Sequence, residues 1–178
     1  MDAGLHANAE WMLREVFKTA KEFGFSEANM SRFFLILVEY YNTSGQFKDA
    51  RQFSQKIEAI QDTLGTDKES RFRLEAQVKT NVALAGMDEW TDLIQRLEDQ
   101  ETARQKSGRV DNQARLRGFA YLKVRRSQDA LQVLSPELQR NVDAFGDAHF
   151  YTALTRGLLA QAQANIGQKD EARQAFDK

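Results

Sequence analysis

The chain holds no cysteine and a single proline among its 178 residues. Without a thiol it has no disulfide, no thiolate zinc site and no cysteine nucleophile. Its only histidines, His6 and His149, lie far apart in sequence and supply imidazole metal chemistry poorly, so no metal or cofactor is expected. The formal net charge of −1 gives no overall field towards nucleic acid or an anionic membrane. A membrane span needs roughly 20 consecutive apolar residues. The richest stretch, "FFLILVEYY" at 33–41, meets Glu39 after six. The N-terminus lacks the charged and then apolar regions of a secretory signal, so the expected compartment is the cytoplasm. A Gly-rich phosphate loop and a Ser-His-Asp set are also missing, and no catalytic role is expected.

What is present is helix-forming. Hydrophobic residues make up 42% of the chain and charged ones 29%, enough for a packed core with a soluble surface. Ala, Leu, Gln, Glu, Lys and Arg dominate, and ten glycines leave little punctuation for many short strands. An all-α fold is expected.

Comparison of the turns reveals a repeat. "YYNTSGQFKDARQF" and "QANIGQKDEARQAF" share the element G-x4-A-R, at Gly45 with Ala50 and at Gly167 with Ala172. Between them, "VALAGMDEWTDLIQRL" breaks at Gly86 and "YLKVRRSQDALQVL" turns at Arg125 before Ala130. One period earlier, Gly4 precedes Ala9. The spacing of about forty residues reads as a pair of helices per repeat. Glycine closes the first helix, and Asp or Ser caps the second. Helix A is expected over about 29–44, 68–85, 111–125 and 148–166. Helix B is expected over about 5–23, 47–63, 88–106, 127–144 and 169–178. The reading is one array over 1–178: a half repeat at 1–28, then repeats at 29–66, 67–108, 109–146 and 147–178. The ragged ends suggest a piece of a longer protein.

These residues resemble the tetratricopeptide repeats. Leu159, Ala160, Gly167, Ala172 and Phe176 fit that signature in the last repeat, and Gly118, Tyr121, Ala130 and Leu134 fit it in the one before. Phe34, Leu37, Tyr41, Gly45 and Ala50 fit it earlier, although Ser54, beside Phe53, stands where an aromatic belongs. Around Val78, Val82, Gly86, Trp90 and Ile94 the match needs a shorter turn. The long period is similar to that of kinesin light chains and bacterial scaffolds, and the corners "FGDAH" and "LGTDK" resemble their Leu-Gly-x-x-His corner. HEAT-type repeats share the period. The resemblance implies a right-handed α-solenoid of antiparallel helix pairs, about four to five repeats long.

Within "GDAHFYTA" at 146–153, Asp147 and His149 have a spacing that metal sites or acid/base pairs can use. The corner reading prevails, because "LGTDKES" fills the same place one repeat earlier without a histidine. Gly146 is then a helix stop and Asp147 a cap. The stretch 104–126 carries eight basic residues against Asp111 alone, and six acidic residues over 88–101 stand against one arginine. Most of that positive charge should face its acidic neighbour, with an acidic partner as the second use and nucleic acid not expected. "FFLILVEYY" is apolar almost all round, so its helix is either buried on both faces or partly offered to a partner, with Leu35 and Ile36 the residues that decide.

Ligands of tetratricopeptide arrays lie on a concave face of A helices. The resemblance therefore implies a groove at Arg32, Leu35, Ile36, Glu39, Asn42, Arg73, Gln77, Thr80, Ala83, Arg115, Leu116, Phe119, Leu122, Leu158, Gln161 and Asn165. The carboxylate-holding set of such arrays is incomplete, with Arg73 and Gln77 alone, and Gly157 and Leu158 replace the light chains' paired asparagines. The implied function is a non-catalytic scaffold that holds a protein or peptide. Two alternatives stay open. One is a regulatory arm of a bacterial effector such as a CHAT-type caspase-like protease, and the other is self-assembly into a homo-oligomer through the open array ends.

Overall fold

The computed structural model of the chain describes residues 3–65, 71–106 and 113–176. Among them it forms nine helices and no strand. These are α1 (Ala3–Glu22), α2 (Glu27–Thr43), α3 (Phe47–Thr63), α4 (Arg71–Gly86), α5 (Trp90–Lys106), α6 (Ala114–Lys123), α7 (Ser127–Phe145), α8 (Phe150–Asn165) and α9 (Lys169–Phe176). The A helices are α2, α4, α6 and α8; the others are B helices. The chain divides into two compact lobes, Met1–Glu89 and Trp90–Lys178.

Turns within repeats close in one way. The amide of Gln46 donates to the Tyr41 carbonyl at 2.8 Å, Glu89 to Leu84 at 3.0 Å, Arg126 to Tyr121 at 2.8 Å and Gln168 to Gln163 at 2.9 Å. Each bond spans five residues, and the residue before its donor is left-handed: Gly45 (φ 76°), Asp88 (57°), Arg125 (62°) and Gly167 (88°). This is the Schellman closure, which satisfies carbonyls that a helix end leaves orphaned. The break expected at Gly86 therefore falls at Asp88, two residues later. Gly86 stays inside α4 because a Cβ there would run into the Phe47 ring.

The expected side-chain caps on the B helices are also absent at two of these turns. Gln46 and Arg126 occupy the N-cap positions of α3 and α7 and make no side-chain cap bond. The residue that ends the Schellman turn is already the cap of the next helix. Asp49 and Asp129 thus fall in the first turn, near its positive end.

Counting from the left-handed residues aligns the interior. Ala50, Leu93, Ala130 and Ala172 share one B-helix position and are all buried. Val38, Asn81, Gly118 and Ala160 share one A-helix position and are buried too. At Gly118 two helices come so close that an added Cβ would lie 2.5 Å from Cγ of fully buried Leu134. Small residues are what permit this approach. In the N-terminal lobe, Phe53 supplies the bulk that Ser54 lacks. Its ring stacks on Tyr41 at 5.5 Å and tilts against Phe34 at 5.6 Å, while buried Ser54 donates to the Ala50 carbonyl at 2.8 Å.

Candidate functional site

In the N-terminal lobe, α2 turns Phe34, Leu37, Val38 and Tyr41 into the core. Leu35 is half-buried against that core, while Arg32, Ile36 and Glu39 are exposed. Of the expected groove residues on α4, Thr80 and Ala83 are buried, and Gln77 is half-buried. Arg73 is spent on Asp62 at 2.6 Å. The residues of α4 that match Leu35, Ile36 and Glu39, counted from Asp88 instead of Gly86, are Val78, Lys79 and Val82. Val78 is 39% exposed, Val82 42% and Ile36 54%. Lys79 pairs with Glu39 across the two helices, and Asn42 donates to the Lys79 carbonyl at 3.0 Å. The resulting face is an apolar strip interrupted by Lys79, which also meets Glu75 of its own helix at 3.9 Å.

In the C-terminal lobe, the guanidinium of Arg115 lies 4.0 Å over the Tyr151 ring. Phe119 meets Trp90 edge-on at 5.6 Å, and Lys123 sits over both rings. Leu116 and Leu158 are half-buried, Gln161 is exposed and Leu122 is buried. Asn165 donates to the Ser127 hydroxyl at 3.1 Å. Leu122 and Asn165, far apart in sequence, come together with Lys123, Arg125 and Ser127 around a cavity of about 460 Å³. The expected charge complementarity runs through Glu98, which accepts from the Tyr121 hydroxyl at 2.8 Å and meets Arg126 at 3.3 Å. Burial, then the hydrogen bond to Glu98, pushes the Tyr121 phenol up to about 12. Arg109 and Asp111 of the basic stretch lie outside the described residues.

Comparison with solved structures decides the fold. A crystal structure of a point variant, described as a Podospora anserina putative kinesin light chain with nearly identical TPR-like repeats, superposes with a TM-score of 0.81 over 98% of this chain and 84% of the other, at 20% identity. A second crystal structure of that light chain gives 0.80, covering 98% and 85%, also at 20% identity. The fold is TPR-like. No known protein-family profile matches the sequence, and no curated protein matches it either.

A TPR-like array needs a corner between each B helix and the next A helix, and 146–149 is one. Gly146 (φ 85°) ends α7. The residue that caps α8 is His149, whose Nδ1 accepts from the Tyr151 amide at 3.2 Å, and not Asp147. Asp147 lies two residues before the cap position and pairs instead with Arg156 at 2.6 Å. His149 is thus structural, stacked on Phe145 at 4.6 Å. At the earlier corner Gly65 is left-handed, and 66–70 lie outside the described residues. What sequence reasoning missed on this TPR-like face is Val78 and Val82. The signal was available: Val78, Lys79 and Val82 fall on the helix-A face only if the turn is counted from Asp88.

Proposed function

We propose that the chain is a non-catalytic, cytoplasmic scaffold that holds a peptide or protein along its A-helix face, with the half repeat and four repeats of 1–178 belonging to one array. The observation that carries this reading is the exposure of Ile36 on α2 and of Val78 and Val82 on α4. Three large apolar side chains left in water on neighbouring A helices favour an occupant. Lys79 crosses that face and meets both Glu39 and Glu75, and the apolar side chains on either side of it suit an extended segment with apolar side chains of its own. Among the described residues no group of three or more His, Cys, Asp or Glu could hold a metal ion, and no helix is long and apolar enough to cross a membrane.

The test is affinity capture with the wild-type chain and with Ile36→Asp/Val82→Asp, at low and high salt, read by mass spectrometry. A protein retained by the wild type in both salts and lost by the variant supports the reading. Equal capture by both chains refutes it.

A further inference from the structure

The corner between α7 and α8 depends on the charge state of one side chain. His149 caps α8 through Nδ1, which accepts from the Tyr151 amide at 3.2 Å. An imidazole nitrogen accepts only through a free lone pair, so the capping ring is the neutral tautomer with its proton on Nε2. An imidazolium carries N–H groups on both nitrogens and accepts nothing. Protonation would set two donors face to face, at the helix end where the dipole is positive. Another A helix, α2, is built without this sensitivity: the Ser26 hydroxyl accepts from the Asn29 amide at 3.4 Å and does not titrate.

The surroundings offer an imidazolium no carboxylate. Asp147 pairs with Arg156 of α8 at 2.6 Å, Asp143 of α7 accepts from Gln139 at 2.8 Å, and Glu137 of α7 is held by Arg140 at 2.7 Å. From α6 the facing charge is a cation, Arg115, 4.0 Å over the ring of Tyr151, whose phenol is the remaining titratable group of the corner. Among the described residues no carboxylate meets His149. Its ring is stacked on Phe145 at 4.6 Å and lies 5.3 Å from the Tyr151 ring. Aromatic faces attract a cation, so a protonated ring stays at the corner with its acceptor gone. The cap holds Tyr151, and Tyr151 joins three helices: it begins α8, meets Phe145 of α7 at 6.2 Å and carries Arg115 of α6. The other ties of the corner do not titrate, since Thr152 donates to the Gly146 carbonyl at 2.8 Å and buried Asn141 to the Thr155 hydroxyl at 2.9 Å.

We infer that the α7–α8 corner is a proton-operated latch, in which protonation of His149 uncaps α8 and frees the Tyr151 ring from Phe145 and Arg115. The cap is present while the imidazole is neutral and is lost as acidification charges it, within the interval of roughly pH 5 to 8 in which imidazoles change charge. What the latch controls is the exposed aromatic group of Phe145, Phe150 and Tyr151, held in place at neutral pH and loosened in acid. It lies in the C-terminal lobe and is independent of the α2–α4 face.

The experiment is amide hydrogen exchange of the full chain, read by heteronuclear NMR at about pH 7.5 and about pH 5, with each rate divided by the intrinsic rate at that pH. Protection of the Tyr151 amide is expected to fall at least about fivefold on acidification, the equilibrium equivalent of a lost cap. The Asn29 amide, held by Ser26, should keep its protection. In His149→Asn the carboxamide caps without titrating, so the Tyr151 amide should be equally protected at both pH values. His149→Ala should show the low value at both. The side-chain protons of Arg115, held over the Tyr151 ring, should lose their upfield ring-current shift over the same step in the wild type and keep it in His149→Asn. Unchanged protection of the Tyr151 amide in the wild type overturns the latch. So does an equal fall in His149→Asn, which would place the acid response on another group of the corner, the Asp147–Arg156 pair first.

Discussion

Gly118→Ala and Gly157→Ala put the same methyl group on two A helices of the C-terminal lobe and should move stability in opposite directions. Both glycines are helical, so each exchange gains about 0.8–1.0 kcal/mol of helix propensity. At Gly157 the new Cβ meets nothing within 4 Å, and the gain stands alone. At Gly118 it arrives 2.5 Å from Leu134 Cγ, 2.6 Å from Cδ2 and 2.9 Å from Cδ1. Carbon atoms rest at about 3.5–4.0 Å, so roughly 1 Å of separation must be found. Leu134 is fully buried, and the atom struck first is its branch point, not a free end. Overpacking of this kind costs about 1–3 kcal/mol, and the upper part of that range outweighs the propensity gain. The expected net effect is a loss of about 1–2 kcal/mol for Gly118→Ala and a gain of about 1 kcal/mol for Gly157→Ala. Urea denaturation followed by circular dichroism at 222 nm reads both. Leu134→Ala, added to Gly118→Ala, should cost less than the sum of the two single changes, since it vacates the space the methyl needs. If Gly118→Ala is as stable as the wild type, the close approach of α6 and α7 is wrong.

Other consequences follow from single residues. Gly86→Ala should also destabilise, by about 1–3 kcal/mol, because the methyl would enter the Phe47 ring; Asp88→Gly should stabilise by up to about 1 kcal/mol by removing a left-handed side chain. Thermal melts of the pair check which of the two positions is the turn. Replacing His149 with Ala should cost about 1 kcal/mol through loss of the α8 cap, while Asn should largely restore it, in the same melts. The folded Tyr121 pKa of about 12 exceeds the ordinary 10, so the folded chain retains a proton that the unfolded chain releases. Stability from this group is complete below pH 10 and falls between pH 10 and 12, by up to about 2–3 kcal/mol, and Tyr121→Phe should flatten that part of the denaturation profile.

The helix pairs were readable because their punctuation is chemical. Gly45 and Gly167 announce left-handed turns, and Ala50, Ala130 and Ala172 follow at a fixed distance. The α4 turn was not readable in that way. Its left-handed residue is an aspartate, and the nearby Gly86 is a glycine for a different reason, the space taken by Phe47. A two-residue slip rotates a helix by about 200°. That is enough to exchange exposed Val78 and Val82 for buried Thr80 and Ala83 in any forecast of the binding face. The His149 cap was hidden because an aspartate two residues earlier is the commoner capping residue, and only the geometry shows it reaching Arg156. The cavity at Arg125 was half visible: Leu122 and Asn165 were expected on one face, but Lys123, Arg125 and Ser127 join them only because the turn brings them there.

The most direct test of the scaffold reading is photo-crosslinking from a benzoylphenylalanine placed at Val78, compared with one at exposed Gln52 on α3. The account predicts a covalent adduct with a partner polypeptide from position 78, absent from position 52 and abolished by Ile36→Asp/Val82→Asp. Adducts of equal yield from both positions, or none from position 78 while the partner still binds, would contradict it.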